Sequence, residues 1–382
     1  GRRLAGEDRY TRINVANIKR IEILNGAASA LYGSDAIGGV INIITDDARN
    51  TVNVSSYTHY SGEGRLTESV NADVNTGKFA SYTSYQRRQA GSWQNNNIDE
   101  NGYETGRPTS VGFYSNTVNQ RFVFNATDKL SFYARGTYFD NKTRRPQDAT
   151  YYAKSKGQFV QKDAYTYNLK HETYTYGAGM KYMINRSAYI DAEFYSDNYS
   201  SDYMYFKKSG SYLPGDRVTR KQVRYYNGNI KGIFRLGSRN KLSAGVEYVN
   251  EGLESESDNI DSRHMYTLAF YAQDEIKLPL NLQAVLGIRY IYNENFKNYA
   301  TPNVSLMYKL GGLNLRAAYA AGFRTPTLSQ LYATDESKTS NRYTTGNADL
   351  KPEKNNFYSL NAEYNYRRIS RSEERRVGKE CL

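Results

Sequence analysis

The chain has 382 residues, with 51 Lys and Arg against 39 Asp and Glu, a formal net charge of +12, 38 Tyr and one Cys. Only 39% of the residues are hydrophobic, whereas globular domains usually reach about 45–50%, so one large apolar core is excluded. The 14% aromatic content argues against a disordered chain, and a single Cys excludes a disulfide framework and a cysteine metal site.

The distribution of residues narrows the choice further. The basic residues are scattered singly, which is a weak footprint for nucleic acid, so we expect no nucleic-acid partner. No run of about 18 apolar residues occurs, so no transmembrane helix is expected. Residues 1–10 (GRRLAGEDRY) do not begin with Met and lack the apolar stretch of a secretory signal, so we expect any export signal to lie upstream.

The first fifty residues form a compact segment that differs from the rest of the chain. Residues 18–24 (IKRIEIL) alternate briefly, residues 27–32 (AASALY) favour a short helical piece ended by Gly33, and residues 40–45 (VINIIT) are typical of a buried strand. Gly33 and the pair Gly38 and Gly39 suit tight turns, because glycine accepts positive φ without cost. The glycine spacing does not indicate a phosphate loop, since no Gly-Lys-Ser/Thr follows.

From about residue 51 onward, segments of about ten residues alternate between apolar and polar side chains, which is typical of strands with one apolar and one wet face. In residues 267–278, Leu268 and Phe270 share one face and Thr267 and Gln273 the other. Residues 130–138, 282–292 and 313–321 repeat the pattern. The whole stretch predicts about fourteen strands.

The connections between these segments alternate between tight turns and long polar loops. Turns rich in Gly, Asn, Asp and Pro lie at residues 75–78, 126–129, 185–187, 237–240, 278–281 and 311–312. The predicted long loops are residues 89–112, 141–164, 197–221, 250–264, 293–301 and 322–354, after a shorter one at residues 61–65. This order gives a sheet two different ends, as in an outer-membrane barrel, and it disfavours a soluble β-sandwich or solenoid.

A lipid-spanning barrel also accounts for the composition. Each strand needs only one apolar face toward lipid, while the other face lines a polar interior. Tyrosine suits the membrane interface, where its ring is apolar and its hydroxyl stays wet. We expect this interfacial position for Tyr57, Tyr60, Tyr82, Tyr85, Tyr248, Tyr290, Tyr292 and Tyr308.

Two stretches resemble a known family. Residues 18–45 read IKRIEILNGAASALYGSDAIGGVINIIT, and residues 322–332 (GFRTPTLSQLY) and 346–354 (GNADLKPEK) precede a strand at residues 356–366. The first stretch resembles the end of the plug domain of TonB-dependent outer-membrane receptors, whose usual wording is close to RIEVLRGPASALYGSGAIGGVINIITK. The second resembles the late-barrel signature of the same family. The resemblance covers essentially residues 1–370.

The resemblance implies an all-β fold, a large antiparallel transmembrane β-barrel with the end of an α/β plug domain. Such receptors have about 22 strands closed by a plug, so about eight strands, the front of the plug, a TonB-contacting box and a signal peptide are expected outside this sequence. We predict residues 1–48 as the C-terminal part of the plug and 49–370 as a partial barrel. Residues 371–382 (RSEERRVGKECL) break the alternation and resemble a translated sequencing adapter, so we set them aside.

The two motifs supply the candidate site residues. The plug motif comprises Arg20, Glu22, Gly26, Ser29, Leu31, Tyr32, Gly33, Gly38, Gly39 and Asn42. Arg20 and Glu22 are candidates for polar contacts to the barrel wall. Asn25 and Ala27 stand where the family often has a basic residue and Pro, which leaves one plug-to-barrel ion pair without its usual basic partner. The late-barrel motif comprises Phe323, Arg324, Pro326, Leu331, Tyr332, Gly346, Asn347, Leu350, Pro352 and Glu353.

The predicted long loops supply aromatic residues that can stack on a large ligand above the plug. These candidates are Trp93, Tyr103, Tyr203, Tyr205, Phe206, Tyr212, Tyr332 and Tyr343. The acidic loop at residues 251–261 lacks the Asp-x-Asp-x-Asp-Gly spacing of a calcium site, so a solvated loop is the favoured interpretation. His59, His171 and His264 have no nucleophile motif or H-E-x-x-H spacing beside them, so we expect no enzyme, no metal and no cofactor.

The resemblance therefore implies a receptor in the outer membrane of a Gram-negative bacterium that imports a ferric siderophore or cobalamin. Its partners would be TonB, which transmits the energy of the inner-membrane proton gradient to the plug, the ligand, and outer-membrane lipid and lipopolysaccharide. The alternative is a non-energised outer-membrane barrel, a porin or an adhesin.

Overall fold

The computed structural model describes residues 12–14, 18–25, 33, 39–45, 48, 51–99, 102–155, 157–337, 342–366 and 369–380. Nearly all of them lie in β-strands or in the turns that connect strands. In the described part of the chain, no helix is long and apolar enough to cross a membrane.

Two strands of the opening segment form a separate antiparallel hairpin. Strand β1 (Ile18–Asn25) pairs with β2 (Gly39–Thr45), and the register sets Ile21 opposite Ile43 and Ile23 opposite Ile41. Ile21, Ile23 and Ile41 are each more than half exposed. The strand predicted at residues 40–45 is confirmed, but it is only partly buried, since Ile41 and Thr45 are exposed and residues 40 and 42–44 are intermediate.

All the long strands belong to one antiparallel sheet of fifteen strands. Its order follows the chain, except that two short hairpins, β8–β9 and β18–β19, lie outside it within the connections. The strands of the sheet and of the two hairpins are β3 (Val52–Ser61), β4 (Arg65–Asn75), β5 (Phe79–Ala90), β6 (Gly112–Asn125), β7 (Leu130–Arg144), β8 (Thr150–Ser155), β9 (Gln158–Asp163), β10 (Tyr167–Asn185), β11 (Ala188–Tyr205), β12 (Arg217–Leu236), β13 (Asn240–Ser255), β14 (Ile260–Lys277), β15 (Leu282–Asn293), β16 (Lys297–Leu310), β17 (Leu313–Arg324), β18 (Thr334–Ser337), β19 (Arg342–Thr345), β20 (Glu353–Tyr366) and β21 (Ile369–Glu380).

The sheet confirms the predicted fold class, a partial antiparallel barrel wall. Strands β3 to β20 supply fourteen members of the sheet, which is the predicted number. The fifteenth, β21, pairs with β20 and lies mostly in the segment that the sequence analysis sets aside. The assignment of residues 371–382 to an adapter stays a prediction. Within the described residues, β3 and β21 form the two edges of the sheet and do not pair with each other.

The tight turns lie where they were predicted, whereas several long loops are shorter than predicted. The predicted loop at residues 197–221 is mostly strand, since β11 continues to Tyr205 and β12 begins at Arg217. Residues 250–264 likewise belong largely to β13 and β14. The longest connections are those between β5 and β6, between β7 and β10, and between β17 and β20.

The two faces of the sheet differ sharply in polarity. On β10, Tyr174 and Tyr176 are about half exposed on the outer face, while Thr173 and Thr175 are buried on the inner face. The outer face is an apolar belt that includes Val70, Phe122, Phe132, Met180, Phe270, Leu286, Ile288, Leu306 and Leu360. Most of the tyrosines predicted for the membrane interface lie on this face. Tyr57 and Tyr82 do not, because they pair with Ser69 and Asp73, which are buried on the inner face.

One central strand pair is open at its upper end. Strand β16 pairs with β15 from Lys297 onward, but its ladder with β17 begins only at Asn303, directly after Pro302. Proline has no backbone N–H to donate to a neighbouring strand. Above this point the wall is held by the rings of Tyr299 and Phe323, whose centroids are 4.2 Å apart.

Candidate functional site

A buried ion pair fastens the opening segment to the inner face of the wall. Arg12 Nη1 lies 3.1 Å from Asp197 Oδ2 on β11, and the two side chains are 4% and 0% exposed. Thr175 on β10 donates a hydrogen bond to the other oxygen of the carboxylate, and the Arg12 guanidinium lies 5.6 Å from the centre of the Tyr199 ring. The cost of burying two charges is offset here by direct pairing and by a further hydrogen bond.

Two residues further along, Asn14 binds a different part of the wall. Its amide Nδ2 donates to Ser69 Oγ at 2.9 Å and to Ser84 Oγ at 2.8 Å, on β4 and β5. Gln86 Nε2 donates to Asn14 Oδ1 at 2.8 Å. We call Arg12 and Asn14, with these wall partners, the plug clasp. Because the clasp joins β4 and β5 to β11, the face that carries these residues is the one that encloses the opening segment.

A third contact lies at Gly33. Its φ of +87° is in the left-handed region, which favours glycine, and a Cβ at this position would lie 3.6 Å from Arg289 Nη2 on β15. The Arg289 side chain is 3% exposed and donates a hydrogen bond to Glu247 on β13. A wall arginine, paired with a wall glutamate, therefore lies directly against the plug motif.

The other plug-motif residues contact one another. Arg20 Nε lies 2.7 Å from Glu22 Oε1, and Asn42 Nδ2 donates to Glu22 Oε2 at 3.0 Å. The hydrogen bond from Arg20 holds the pKa of Glu22 below its usual range. Both charges thus pair within the hairpin, and a contact of Arg20 and Glu22 with the barrel wall stays a prediction. Gly39 begins β2, while Gly26, Ser29, Leu31, Tyr32 and Gly38 lie outside the described residues.

The late-barrel motif forms a short helix that packs on the long-loop end of β13 and β14. Helix α1 (Leu328–Tyr332) begins at Thr327, whose hydroxyl accepts from Gln330 N while Gln330 Oε1 accepts from Thr327 N, a capping box. Leu328 packs in an apolar cluster with Leu253, Ile260, Met265 and Ala333, and Leu331 is also buried.

The second half of the motif returns to this helix. A Cβ on Gly346 would lie 2.7–2.8 Å from the backbone nitrogens of Tyr332 and Ala333, so only glycine fits. Gly346 N donates to Ala333 O, and Asn347 N donates to Gln330 O at 3.0 Å. Arg324 Nη1 lies 3.0 Å from Glu353 Oε1, where β17 and β20 pair. Phe323 is buried, Leu350 is exposed, and Pro326 and Pro352 precede the cap of α1 and the first residue of β20.

The structure gathers three of the predicted loop aromatics with a fourth tyrosine that the sequence analysis did not single out. Tyr167 lies 4.2 Å from Tyr203 and 5.5 Å from Tyr205, and Tyr205 stacks on Tyr212 at 4.7 Å, between ring centroids. These residues lie above the apolar belt. Outside the strands, a hydrogen bond to Glu256 raises the pKa of Tyr212.

The remaining loop aromatics are dispersed. Tyr103 packs on Phe159 and Tyr152 of the β8–β9 hairpin, 4.3 and 5.4 Å away. Tyr332 lies under the Arg263 guanidinium at 4.8 Å. Trp93 bridges to Ser110 within the β5–β6 connection, and Phe206 follows β11. Tyr343 belongs to β19, and its side chain lies outside the described residues.

The histidines and the acidic loop have structural surroundings. His171 is buried with its Nδ1 2.6 Å from the Tyr199 hydroxyl, His59 lies beside Tyr57 on β3, and His264 is exposed on β14. In the acidic loop, Asp258 accepts a hydrogen bond from Ser329 of α1 at 3.3 Å. The described residues contain no group of three or more His, Cys, Asp or Glu that could hold a metal ion.

The sequence analysis missed the residues that make the clasp. Arg12, Asn14 and Asp197 of the clasp lie in no motif, nor does Arg289, which lies against Gly33, and each is a polar residue among many. The inward position of Asp197 and Arg289 does follow from the period of two along their strands, but the period cannot say which inward residues meet the opening segment.

Comparisons with known proteins agree with this architecture. The family described as "TonB dependent receptor-like, beta-barrel" matches residues 42–370, and the "TonB-dependent Receptor Plug Domain" matches residues 1–40.

Solved structures with similar folds include a mutant of the ferric enterobactin receptor PfeA of Pseudomonas aeruginosa, with a TM-score of 0.76 and 17% identity over 94% of this chain and 57% of that chain. The siderophore receptor PirA of Acinetobacter baumannii has a TM-score of 0.70 and 18% identity, over 94% of this chain and 57% of that chain. PirA of Pseudomonas aeruginosa has a TM-score of 0.71 and 16% identity, over 96% of this chain and 63% of that chain. The chain thus spans about three fifths of the length of these receptors. With a barrel-family match over most of its length and a plug-family match before it, the chain belongs to the TonB-dependent receptors.

Proposed function

We propose that this receptor imports a ferric siderophore across the outer membrane of a Gram-negative bacterium, driven by TonB acting on the plug. The observation that carries the proposal is the plug clasp. It seats the opening segment against the inner face of a wall whose interior would otherwise be an aqueous channel. A seated plug is needed by a gated importer and serves no purpose in a diffusion pore, which argues against the porin alternative.

The side chains at the extracellular end of the inner face are suited to bind a large, anionic ligand that carries aromatic rings. Tyr167, Tyr203 and Tyr205 supply aromatic surface and hydroxyl donors. Arg263, exposed on β14, and Lys221, on β12, supply positive charge on the same face. Ferric complexes of catecholate or phenolate chelators present flat rings and negative oxygens, for which this lining is complementary. In the part of the lining that the structure describes, we find no feature that favours cobalamin over such a chelate.

The outer face of the sheet supports the proposal that the protein lies in the outer membrane. Its apolar belt is of the kind that contacts lipid in outer-membrane barrels. Directly above the belt on β10, Lys170 lies 2.8 Å from Glu172, and Arg217 Nε donates to Asp202 at 2.9 Å. These two cations are each paired with a carboxylate, so contact of the outer face with lipopolysaccharide remains part of the proposal. Transport of this kind needs no covalent chemistry.

The test is uptake by cells that express this receptor as their sole siderophore receptor. We expect radiolabelled iron to accumulate when it is supplied as a ferric catecholate, and accumulation to stop when tonB is deleted. Labelled cobalamin and a ferric hydroxamate serve as comparison substrates. Uptake of cobalamin alone would show that the substrate is cobalamin and not a ferric siderophore. Entry of small solutes without TonB would show that the protein is an open pore and not an energised importer.

A further inference from the structure

The tight turns at the short-turn end of the sheet carry charges of almost one sign. Six described turns of this kind join neighbouring strands of the sheet, and Asp128 is the only carboxylate within them. Four successive turns, from the β4–β5 turn to the β12–β13 turn, each contain one exposed cation. We call these four residues the basic arc: Lys78, Lys129, Arg186 and Arg239.

The charges of the basic arc are not neutralised by the protein. Within the described residues, none of the four cations forms an ion pair. The opposite margin of the outer face differs, because Lys170 is paired with Glu172, and Arg217 with both Glu172 and Asp202. Neighbouring turns are two strands apart, about 10 Å, which is close to the Debye length of about 8 Å at physiological ionic strength. The fields of adjacent cations therefore overlap into one positive edge.

The basic arc lies directly at the lower margin of the apolar belt. Lys78 Nζ is 6.0 Å from the centre of the Phe124 ring, which is exposed on the outer face opposite Phe132. Ile184, another exposed apolar residue, precedes Arg186 by two positions. Lys and Arg side chains at such a margin lay their apolar stems along apolar surface and keep the charged group at the level of the lipid headgroups.

The two remaining turns have exposed leucines. Leu280, at the tip of the β14–β15 turn, is 84% exposed, and Leu310, at the end of β16, is 59% exposed. Leu280 has a φ of +59°, in the left-handed region that favours glycine. The nearest cations, Lys277 and Lys309, belong to the strands and lie on the inner face by register. Lipid would remove these leucine side chains from water, so they favour a lipid surface over an acidic protein as the partner of this end of the sheet.

We propose that the basic arc binds anionic glycerophospholipids of the inner leaflet of the outer membrane. The inference goes beyond the proposed function and rests only on its membrane placement, in which the short turns lie on the periplasmic side. Ammonium and guanidinium groups donate hydrogen bonds to phosphate oxygens. The ligand class is a phospholipid with a net negative charge, such as phosphatidylglycerol, because the ammonium group of a zwitterionic lipid opposes the attraction of its phosphate to the arc.

The test measures the Kd of phosphatidylglycerol and of phosphatidylcholine for the full-length receptor, by native mass spectrometry from detergent micelles. We expect the wild type to bind phosphatidylglycerol at least about fivefold more tightly, the effect of about one cation beside an anionic surface. We expect this preference to be lost when the four cations of the arc are replaced together by Lys78→Gln, Lys129→Gln, Arg186→Gln and Arg239→Gln.

The matched control removes the same charge from the other end of the sheet. Four exposed cations in or beside the long connections are replaced together, and we expect this variant to keep the wild-type preference: Arg65→Gln, Lys154→Gln, Lys208→Gln and Lys351→Gln. A third variant exchanges Lys for Arg and Arg for Lys at the four arc positions. It keeps the charge and should also bind as the wild type does. The amount of folded receptor is measured for each variant.

Three results would overturn the inference. They are equal Kd values of the two lipids for the wild type, an unchanged preference in the arc variant, and an equal loss of preference in the arc variant and the control, which would be an effect of net charge alone. Binding of a soluble poly-glutamate peptide to the arc, without a preference among lipids, would make an acidic protein its partner. Iron uptake plays no part in these measurements, so failure of the proposed function in its own test would leave this inference standing.

Discussion

At the scale of single residues, the clasp depends on one carboxylate. Asp197 is completely buried, and it accepts from both Arg12 and Thr175. A buried ion pair adds little net stability over an apolar pair, but removing one partner strands the other charge in a low-dielectric site, which typically costs about 3–5 kcal/mol. The attachment of the opening segment to the wall therefore depends on Asp197 more strongly than it would on an exposed carboxylate.

We predict that Asp197→Asn loosens the plug. The amide still accepts from Thr175, but it no longer neutralises Arg12, so cells should become more sensitive to large antibiotics that the outer membrane normally excludes. Growth inhibition by vancomycin measures this leak. Asp261→Asn, an exposed residue on β14, is the matched control and should leave sensitivity unchanged. Equal sensitivity of the two variants would contradict a role for Asp197 in holding the plug.

The same residues mark a limit of sequence reasoning. Arg20 and Glu22 belong to the plug motif and were therefore candidate wall contacts, and on β1 they pair with each other. Arg12 and Asn14 precede the first periodic stretch, so nothing in their spacing distinguishes them from solvated loop residues. Their partners lie 55 to 185 positions away in the chain, and a period of two specifies a face without specifying its partner.

At the scale of elements, the two halves of the late-barrel motif form one unit. Helix α1 has only five residues, too few to persist on its own, so it depends on its capping box and on the cluster around Leu253. The return segment holds it from the other side through the backbone of Gly346 and Asn347. The motif spacing in the sequence thus reflects a close approach of two backbones that are joined through the β18–β19 hairpin.

We predict that Gly346→Ala displaces helix α1 from its position against the return segment. The added methyl group would overlap the backbone nitrogens of Tyr332 and Ala333, which cannot move aside as a side chain tip can, and such overpacking typically costs about 1–3 kcal/mol. Proteolysis of the extracellular face measures the effect, with faster cleavage between β17 and β20 expected. Gly228→Ala on β12, where a Cβ meets nothing within 4 Å, should cleave at the wild-type rate. An unchanged rate in both would mean that the helix does not depend on this approach.

The element boundaries show which part of the fold is readable from sequence. The turns at the short-turn end were placed correctly, because Gly, Asn, Asp and Pro cluster there. The upper strand ends were not, and β11 continues to Tyr205 inside a predicted loop. Alternation of apolar and polar side chains ends at the upper edge of the apolar belt. The backbone hydrogen bonds between the strands continue above that edge, where both faces carry polar side chains. The alternation therefore predicts the extent of the belt and not the full length of each strand.

At the scale of the whole molecule, the exposed apolar belt explains how 39% hydrophobic residues suffice. The large apolar side chains lie outward and the interior is polar, which inverts the arrangement of a soluble domain. The arrangement is stable only when lipid covers the belt.

We predict that residue 288 is in contact with lipid. Ile288 is 52% exposed on the outer face of β15, and Leu213 is 54% exposed in the β11–β12 connection. In water both would tolerate arginine, but at the lipid face a charge costs about 2–4 kcal/mol near the bilayer midplane. Ile288→Arg should therefore lower the free energy of unfolding from lipid vesicles, measured by urea titration, while Leu213→Arg should not. Similar values for the two variants would argue that the belt does not face hydrocarbon.

The gap above Pro302 has a mechanical consequence for the rim. Between β10 and β11 a continuous ladder runs from Tyr167 to Met183, so prising those strands apart would break backbone hydrogen bonds one after another. Between β16 and β17 the upper six residues of β16 share no ladder with β17, and two tilted rings in contact bridge the space. Separating these two strands above Pro302 would therefore break a contact between rings and no rung of the β16–β17 ladder, so this is the point at which the rim resists a sideways force least.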